Sequence, residues 1–394
     1  MTDSGKKRRT ILFLTGSRAD YGKMKPLMQA VENHPDLSCA VAVTGMHLLP
    51  QYGLTAAQIF RDGFTDIHTF PNQFSDVSVS RDLLVADTVK GLGPILQSVR
   101  PDMLVIHGDR PETLAGAISG SMNLVLTAHV EGGELSGTID ELIRHAVTKL
   151  AHIHFVSNQP ARQRLIQMGE ISRSIHVIGS PDIDVMLSED LPDIETVRSH
   201  YDIQFKKYVI FVYHPVAFEM QGLTDRIQML LETVRDSACN CVAIYPNNEP
   251  GSNVIVAAYK SISGEPWFRA LPSMRFEYFL TLLKHADAII GNSSSGIHEA
   301  PVYGVPTINI GSRQKNRFSH ESIISINEKS DSVRAALSRL ESRRSPATHF
   351  FGDGNSCRRF MRVLTETEIW STPTEKQFRD LMERYSDATH SDTD

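Results

Sequence analysis

Short apolar runs alternate with segments of helical spacing along most of the chain, and this alternation limits the fold more than any other feature. It is typical of a parallel, doubly wound sheet, because each parallel strand is joined to the next through a crossover helix. The runs that predict strands are TILFL (10–14), CAVAV (39–43), MLVI (103–106), LVLTA (124–128), IHFV (153–156), IHVI (175–178), YVIFVY (208–213), CVAIY (241–245), FRAL (268–271), DAII (287–290) and PTINI (306–310).

A polar, acidic segment at 187–202 interrupts this series within a chain of 394 residues. A chain of this length is longer than a single hydrophobic core usually accommodates, so we predict two domains. The predicted fold is α/β, with two Rossmann-like doubly wound domains that face each other across a cleft. The predicted boundaries are a disordered tail at 1–9, a first domain at 10–186, a linker at 187–204, a second domain at 205–356, C-terminal helices at 357–385 that could cross back to the first domain, and a disordered tail at 386–394.

Four apolar residues after the first predicted strand have the spacing of one helix face. They follow one another at i, i+3, i+4 and i+7: Met24, Leu27, Met28 and Val31. The spacing predicts an amphipathic helix over KMKPLMQAVEN, with Pro26 in its first turn, where a missing N–H group costs little.

The composition excludes several classes of protein. Apolar residues at 41% and charged residues at 22% are typical of a globular protein, and a net charge of −6 gives no basic surface for nucleic acid. No signal peptide is recognisable, and no apolar stretch approaches the roughly 20 residues of a membrane span. The four cysteines fit neither a disulfide framework nor a zinc site. We therefore expect a cytoplasmic protein with no metal and no nucleic-acid or membrane partner.

Ligands of open α/β sheets bind beyond the carboxyl ends of the strands, so the residues that follow each predicted strand are the first candidates. Arg18 follows the first strand at the start of a helix, where it could bind an anion or pair with Asp20. Asp109 and Arg110 follow the MLVI strand, and Pro111 is suited to begin the next helix. A helix-capping role for Asp109 is the alternative.

The stretch HVEGGELSGTIDELIRH (129–145) follows the LVLTA strand and concentrates ionisable groups beside glycines. Thr138 and Glu141 have the spacing of a capping box, which predicts a helix start with Asp140 in its first turn. A structural helix start, with a surface pair between Asp140 and Arg144, explains Asp140. It does not explain His129, Glu131 and Glu134 beside it, so we predict a functional cluster.

The second half carries a different set of side chains at its strand ends. DAIIGNSSSGIHEAPVYGVP (287–306) predicts a strand, a serine-rich loop and a short helix that contains Glu299. Ser293, Ser294 and Ser295 at a positive helix end suit a phosphate, although a plain capping loop would look the same. His214 and Arg313 also follow strands. The alternative interpretation of His214 is a buried, hydrogen-bonded histidine with a structural role. The first half thus favours acid–base chemistry, and the second a phosphorylated ligand.

Several motifs, in order from about residue 10 to residue 360, resemble one family. GSRADYGK, HGDR, HVEGGELSGTIDELIRH, KLAHIHFVSN, GSPDID, YHP, YPNN, GNSSSG and GSRQ resemble motifs of the hydrolysing UDP-N-acetylglucosamine 2-epimerases, which include the NeuC-type enzymes of sialic acid synthesis. The resemblance implies a GT-B fold, conversion of UDP-GlcNAc and water to ManNAc and UDP, no NAD or other cofactor, and a homodimer or homotetramer.

The resemblance also implies roles for individual residues. The family's catalytic carboxylates match Asp109, Glu131 and Asp140. Residues beside them are expected to support catalysis in unassigned roles: His129, Glu134, Arg144 and His145. The family's UDP contacts match Arg18, Arg110, His214, Ser293, Ser294, Glu299 and Arg313, with Phe276 a weaker candidate for stacking on uracil. One departure is His298, because relatives usually have arginine before the glutamate of the serine loop.

Three alternatives remain beside this interpretation. A hydrolysing 2-epimerase could act on a UDP-2,4-diacetamido-trideoxy sugar of the legionaminic acid route, a GT-B glycosyltransferase could share the fold, and a nucleotide-sugar sensor could share the binding residues. The non-hydrolysing relatives resemble HVEAGLR followed by P-E-E-x-N-R, which this chain lacks. That difference favours release of free sugar over return of a UDP-sugar.

Overall fold

The computed structural model describes residues 8–73, 79–136, 139–216, 219–247, 249–340, 344–366 and 368–379. The described strands are β1 (Arg9–Thr15), β2 (Leu37–Val43), β3 (Ile67–Thr69), β4 (Met103–His107), β5 (Leu126–Val130), β6 (Ile153–Val156), β7 (Ile175–Val177), β8 (Val209–Val212), β9 (Cys241–Ile244), β10 (Phe268–Leu271), β11 (Ala288–Gly291), β12 (Thr307–Ile310) and β13 (Ile323–Ile326).

The described helices cover the faces of the sheets. They are α1 (Arg18–Glu32), α2 (Ala56–Arg61), α3 (Arg81–Val99), α4 (Pro111–Met122), α5 (Ile139–Leu150), α6 (Gln159–Gln167), α7 (Pro181–Met186), α8 (Ile194–Tyr201), α9 (Leu223–Asp236), α10 (Ser252–Ser261), α11 (Phe276–His285), α12 (Ser330–Ser338) and α13 (Ser356–Thr365). Single 3₁₀ turns occupy Gly45–Leu48, Pro50–Tyr52, Ser172–Ser174, Ser294–Gly296, Ala300–Tyr303 and Glu368–Ser371.

The strands form two parallel sheets. The first has the order β3-β2-β1-β4-β5-β6-β7, and the second the order β10-β9-β8-β11-β12-β13. In each sheet the chain reverses its direction of winding once, at the β1–β4 pair and at the β8–β11 pair. Such switch points leave a crevice for a ligand at the carboxyl edge. The predicted pair of doubly wound Rossmann-like domains is confirmed.

The strand prediction differed from the structure in two places. β3 and β13 were missed because they are short edge strands with partly exposed side chains, which weakens their apolar signal. β5 begins at Leu126, not at Leu124, because Leu124 has a φ of 54° in the turn after α4. This shift places His129 inside the strand and Glu131 directly after it.

The start of α1 lies before the predicted one. Ser17 caps the helix by accepting a hydrogen bond from the Asp20 N–H group, and the Asp20 carboxylate accepts one from the Ser17 N–H group. The helix therefore begins at Arg18, and Pro26 lies in its interior. The prediction of Pro26 in the first turn was wrong because the apolar spacing starts at Met24, about two turns after the cap.

The segment between the two sheets is more structured than the linker predicted at 187–204. It contains α8, which Asp193 caps, and Val197 of α8 packs with Ile183 and Met186 of α7 in the core of the second domain. At the other end, α13 contacts the first domain, where Phe360 lies edge-on to Phe155 at 4.8 Å between ring centroids.

The chain ends are described only in part. Within the predicted tail at 1–9, Arg9 already belongs to β1, and its guanidinium lies 4.1 Å from the ring centroid of Trp370. The predicted tail at 386–394 lies outside the described residues. Within the described ranges, no helix combines the length and apolarity needed to cross a membrane.

Candidate active site

A cleft lies where the carboxyl ends of the two sheets face each other. It contains a cavity of about 140 Å³, and a second cavity of about 60 Å³ shares part of its wall. The larger cavity is lined by Ser17, Ala19, Asp20, Lys23, His107, Gly108, Asp109, Arg110, Glu131, Ser136, Asp140, Arg144, Asn247, Ser294, His298, Arg313, Gln314 and Arg317. Most of these residues follow strands, as parallel sheets require of a ligand site.

Asp109 lies between β4 and α4 with its carboxylate paired to the guanidinium of Arg144 from α5. Arg110, not Asp109, is the capping residue of α4, so the capping role considered for Asp109 is not observed. Burial alone would raise the pKa of Asp109, but the nearby Arg144, Arg317 and Arg313 outweigh it and hold that pKa below its usual value. Asp109 is therefore ionised at neutral pH.

Glu131 follows β5 in a left-handed backbone conformation, with a φ of 64°. Its N–H group donates to the Phe155 carbonyl at 2.8 Å, and its own carbonyl accepts from Arg144. Its carboxylate accepts from the Ser180 hydroxyl and lies 3.1 Å from His107 Nε2. Burial would raise the pKa of Glu131, but Lys23 and His107 lower it well below its usual value. Glu131 is thus a second ionised carboxylate in a fixed position.

Asp140 lies in the first turn of α5 and lines both cavities. Its Oδ2 is 3.7 Å from Nη2 of Arg313, which belongs to the second domain. The Glu141 carboxylate accepts from the Ser136 N–H group at 3.2 Å near the start of the helix. The predicted capping box depends on Thr138, which lies outside the described residues.

The three residues predicted to support catalysis beside Arg144 occupy different environments. His129 is buried within β5, and its Nε2 donates to the Gly108 carbonyl at 2.8 Å. Burial lowers the pKa of His129 to about 3, so the ring is neutral and holds the loop that carries Asp109. Glu134 accepts from the Ser157 hydroxyl, and burial raises its pKa. His145 lies outside the cleft with a side chain 48% exposed, 3.8 Å from Glu141.

On the opposite wall, Asn292 after β11 organises two of the predicted nucleotide contacts. Its Oδ1 accepts from the His214 N–H group at 2.6 Å, and its carbonyl accepts from Arg313 Nη1 at 3.2 Å. His214 Nδ1 accepts from the Asn247 N–H group at 3.4 Å. Burial holds the pKa of His214 well below its usual value, so His214 is a neutral, hydrogen-bonded side chain beside the cleft.

The serine loop differs from the predicted helix start. Ser293 caps only a single 3₁₀ turn, with its Oγ accepting from the Ser295 N–H group at 3.3 Å, and a second single turn follows Glu299. The predicted short helix that contains Glu299 does not form, because Pro301 has no N–H group to extend the first turn and Gly304, with a φ of 65°, ends the second. Ser294 lines the cavity, and a phosphate there would be bound by hydroxyl and N–H groups with little help from a helix dipole.

Glu299 is buried and pairs across the domains with Lys23, at 3.0 Å between Oε1 and Nζ. The same ammonium group lies 3.0 Å from Asp182 Oδ2. Burial raises the pKa of Glu299 and would lower that of Lys23, but the two carboxylates hold the Lys23 pKa well above its usual value. Sequence reasoning missed Lys23, although GSRADYGK places it one and a half turns after Arg18 on the same helix.

Three further predicted contacts lie near this domain contact. Arg18 donates to the Ser273 hydroxyl at 2.9 Å and makes no pair with Asp20, which instead accepts from the Thr15 hydroxyl and two backbone N–H groups. Arg110 lines the cavity and pairs with Glu112 at 3.2 Å. Phe276 is 6% exposed and packs tightly on Gly22. A Cβ atom added to Gly22 would lie 2.4 Å from the Cβ atom of Phe276. Stacking on uracil would require this packing to open.

Besides Lys23, sequence reasoning missed several cleft residues. Each is positioned by a contact with a residue distant in sequence. They are His107, Asn247, His298 as a contact of Arg317, Gln314 and Arg317. His107 and Asn247 do follow or end strands, which is the signal that could have identified them. Within the described ranges, no group of three or more His, Cys, Asp and Glu side chains could hold a metal ion.

Two Rossmann-like domains that enclose a cleft of carboxylates and guanidinium groups define an enzyme of the GT-B class. The fold agrees with a crystal structure of UDP-GlcNAc 2-epimerase from Neisseria meningitidis bound to UDP-GlcNAc, at a TM-score of 0.74 and 17% identity, over 90% of this chain and 99% of that one. The Methanocaldococcus jannaschii UDP-GlcNAc 2-epimerase in complex with UDP-GlcNAc and UDP has a TM-score of 0.76 at 19% identity, over 90% and 99% of the two chains.

Sequence comparison assigns the family. The family model described as UDP-N-acetylglucosamine 2-epimerase matches residues 29–365. A UDP-N-acetylglucosamine 2-epimerase of Neisseria meningitidis is 42% identical over 375 residues, which are 94% of this chain and 99% of that relative. The polysialic acid biosynthesis protein P7 of Escherichia coli is 34% identical over 80% of this chain and 82% of its own. The chain therefore belongs to the UDP-N-acetylglucosamine 2-epimerase family.

Proposed function

We propose that this protein is a hydrolysing UDP-GlcNAc 2-epimerase, which converts UDP-GlcNAc and water to ManNAc and UDP in sialic acid synthesis. The observation that carries the proposal is the pair of ionised carboxylates, Asp109 and Glu131, on the wall opposite Arg313. Removal of a proton requires a base that is ionised at working pH, and departure of a diphosphate requires cations on the other side. The cleft supplies both.

The first half of the reaction eliminates UDP. The C2 proton of the sugar is not next to a carbonyl group, so its loss is easier once the C1–O bond to UDP is breaking and positive charge develops at C1. The C2 proton passes to a carboxylate, the electron pair of the C2–H bond forms the C1=C2 double bond, and UDP leaves as the anion. Arg18, Arg313 and Ser294 stabilise the departing diphosphate.

The second half hydrates the glycal that results. The oxygen of water bonds to C1 and one of its protons is released to a base, while an acid–base group on the opposite face gives a proton to C2, which yields ManNAc. This step needs a second acid–base group around the same ring, and Asp109, Glu131 and Asp140 all line one cavity. Asp109 and Glu131 are the candidates for the base of the first half, because their lowered pKa values keep them in the ionised state that can accept a proton.

The relatives support this substrate and also supply a second candidate. The Neisseria and Escherichia coli relatives favour UDP-GlcNAc and the sialic acid route. A UDP-N,N'-diacetylbacillosamine 2-epimerase (hydrolyzing) of Legionella pneumophila is 30% identical over 92% of this chain and 97% of its own, which favours a 2,4-diacetamido sugar as the alternative. The higher identity of the Neisseria relative makes UDP-GlcNAc our first choice.

The test offers both UDP-sugars to the purified protein in parallel and follows free sugar and UDP by proton NMR. We expect ManNAc and UDP from UDP-GlcNAc, with a kcat/KM at least about tenfold above that for the diacetamido sugar, as one misfitted substituent in a pocket usually produces. The opposite preference would select the second candidate. Absence of free sugar without an added acceptor would indicate a glycosyltransferase instead. The homo-oligomer expected from the resemblance is tested by light scattering on the same sample.

A further inference from the structure

Arg317 is a cleft residue with no role in the reaction described above. It lies in the loop after β12, where Asn316 has a φ of 64° and turns the chain so that the Arg317 side chain lines the cavity. Asp109 of the first domain lines the same cavity, and the charge of Arg317 lowers the pKa of Asp109. A cation of the second domain therefore reaches the place where the sugar would react.

The contacts of Arg317 differ from those of the other cleft arginines. Its Nη1 donates to Gln314 Oε1 at 2.9 Å and its Nη2 to His298 Nε2 at 3.0 Å, and both acceptors are neutral. Its buried Nε has no hydrogen-bond partner in the described part of the chain. Arg110, Arg144 and Arg313 each have a carboxylate oxygen within 4.0 Å, whereas no such ion pair to Arg317 occurs among the described residues.

Arg317 is a partly buried cation that Asp109 and Glu134 attract only from beyond ion-pair distance, so a purely structural role explains it poorly. Burial and the charge of Arg144 lower the pKa of Arg317, and the attraction of Asp109 and Glu134 offsets this only in part. An anion that enters the cavity could pair with Arg317 directly and so compensate its charge more fully. A guanidinium with donors left over is suited to phosphate oxygens, which it can bind by two parallel hydrogen bonds.

His298 and Gln314 hold this guanidinium in a fixed orientation. The His298 ring stacks on Phe351 at 4.1 Å with an interplanar angle of 19°, and burial keeps its pKa well below the usual value. Because Nε2 accepts from Arg317, the ring proton must reside on Nδ1. Gln314 is itself fixed, since its Nε2 donates to the Asn292 carbonyl at 2.9 Å.

We propose that Arg317 binds the diphosphate of the nucleotide sugar and stabilises the charge that develops as it leaves, and that His298 is the positioning residue for Arg317. The inference rests on the proposed function, because that reaction is what brings a diphosphate beside Asp109. It also gives His298 a specific role: its neutral ring, stacked on Phe351, accepts a hydrogen bond from Arg317 and so fixes the guanidinium.

The experiment compares matched variants of the full chain by UDP release, by calorimetric titration with UDP and by thermal unfolding. Arg317→Ala should lower kcat about 100-fold, the usual effect of losing one donor to a developing anion, and should weaken UDP binding about tenfold. Its unfolding temperature should not fall, since the charge that is removed has no carboxylate oxygen within 4.0 Å among the described residues. Lys315→Ala, which removes an exposed cation from the same loop, should match the parent chain in all three measurements.

The positioning role of His298 has its own pair of variants. His298→Gln can keep an acceptor near the position of Nε2 and should retain kcat within about fivefold, whereas His298→Met removes the acceptor and should lose nearly as much as Arg317→Ala. In the double variant with Arg317→Ala, His298→Met should add little, because residues that act through one contact are not additive. Additive losses would overturn the positioning role.

The outcomes separate this inference from the proposed function. If the parent chain releases no free sugar, the proposed function fails, while the UDP titration still tests Arg317. Equal UDP affinity and equal kcat in Arg317→Ala and the parent would overturn the inference even if ManNAc is formed. A lower unfolding temperature together with unchanged UDP affinity would also overturn it, as a structural role would then explain Arg317. If Arg317→Ala does not fold, Arg317→Gln replaces it with the same expectations.

Discussion

The two walls of the cleft carry charge in different ways. On the first domain, each carboxylate has partners on the same domain. Asp109 pairs with Arg144, and Glu131 contacts His107 and accepts from the Ser180 hydroxyl. On the second domain, Arg317 contacts neutral acceptors and Arg313 contacts the Asn292 carbonyl, with only a 3.7 Å pair to Asp140 across the cleft. The carboxylates of the first wall are therefore held by protein partners, while the two arginines of the second wall make fewer close ion pairs.

Under the proposed function, this difference follows from what each wall has to do. A base must already be ionised and oriented when the sugar binds, so its partners belong to the protein. A site for a diphosphate must leave its cations available, so their partner is the ligand. Substitutions on the first wall should accordingly affect chemistry and stability, and substitutions on the second wall should affect nucleotide binding as well.

The largest effect is expected at the two ionised carboxylates. Asp109→Asn or Glu131→Gln should lower kcat by about 10³-fold, since each removes an acid–base group while keeping the shape of the side chain. UDP affinity, measured by calorimetry, should stay within about threefold of the parent. A large loss of UDP binding with little change in kcat would move these residues to the nucleotide site and break the distinction between the walls.

The next effect concerns the contact that joins the walls through Lys23. Lys23→Met leaves Asp182 and Glu299 buried without their cation, so the free energy of unfolding at pH 7 should fall by about 3 kcal/mol. The pKa of Glu299 is already raised by burial, and loss of Lys23 raises it further. A carboxyl group with a raised folded-state pKa contributes stability at low pH that is lost as pH rises through that pKa.

The denaturation profile of Lys23→Met therefore has a defined sign. The variant should be closest to the parent chain near pH 4, where Glu299 can bind a proton, and should diverge from it as pH rises to 7. Urea unfolding at both pH values measures this difference. A deficit that is the same at both values would mean that lost packing of the lysine stem, not charge, is responsible.

A smaller effect is expected at Arg144, whose charge keeps the pKa of Asp109 low. Arg144→Met should lower kcat/KM about 100-fold and move the acidic limb of its pH profile upward, because Asp109 then takes up a proton at higher pH. His145→Ala on the same helix is the matched control and should leave the profile unchanged. An unmoved acidic limb in Arg144→Met would show that Asp109 does not need this partner to stay ionised.

The sequence permitted prediction of the fold and of the cleft's location for one physical reason. Carboxyl ends of parallel strands share an edge, so residues such as Asp109, Glu131 and Arg313 could be expected at one cleft from their position after strands alone. The angular position of each residue around α5 could also have distinguished the buried Arg144 from the exposed His145. Successive helical residues point about 100° apart, so the burial of Arg144 with Ile143 and Val147 leaves His145 outside.

Contacts between distant parts of the chain were not accessible in the same way. The pairing of Lys23 with Glu299, and of Arg317 with His298, depends on how loops and domains meet in space, which periodicity does not encode. The serine loop was predicted as a helix start because Ser and Gly residues precede several helical residues. Pro301 cannot donate a hydrogen bond back to the first turn and Gly304 ends the second, so only two single turns form.

The central claim is that a carboxylate removes the C2 proton and that a solvent-derived proton returns to C2 from the other face. The most direct test runs the purified enzyme with UDP-GlcNAc in deuterated water and examines the product by proton NMR. The account predicts UDP and free ManNAc that carries deuterium at C2. ManNAc that retains the original C2 proton, or release of UDP with GlcNAc as the free sugar, would contradict it.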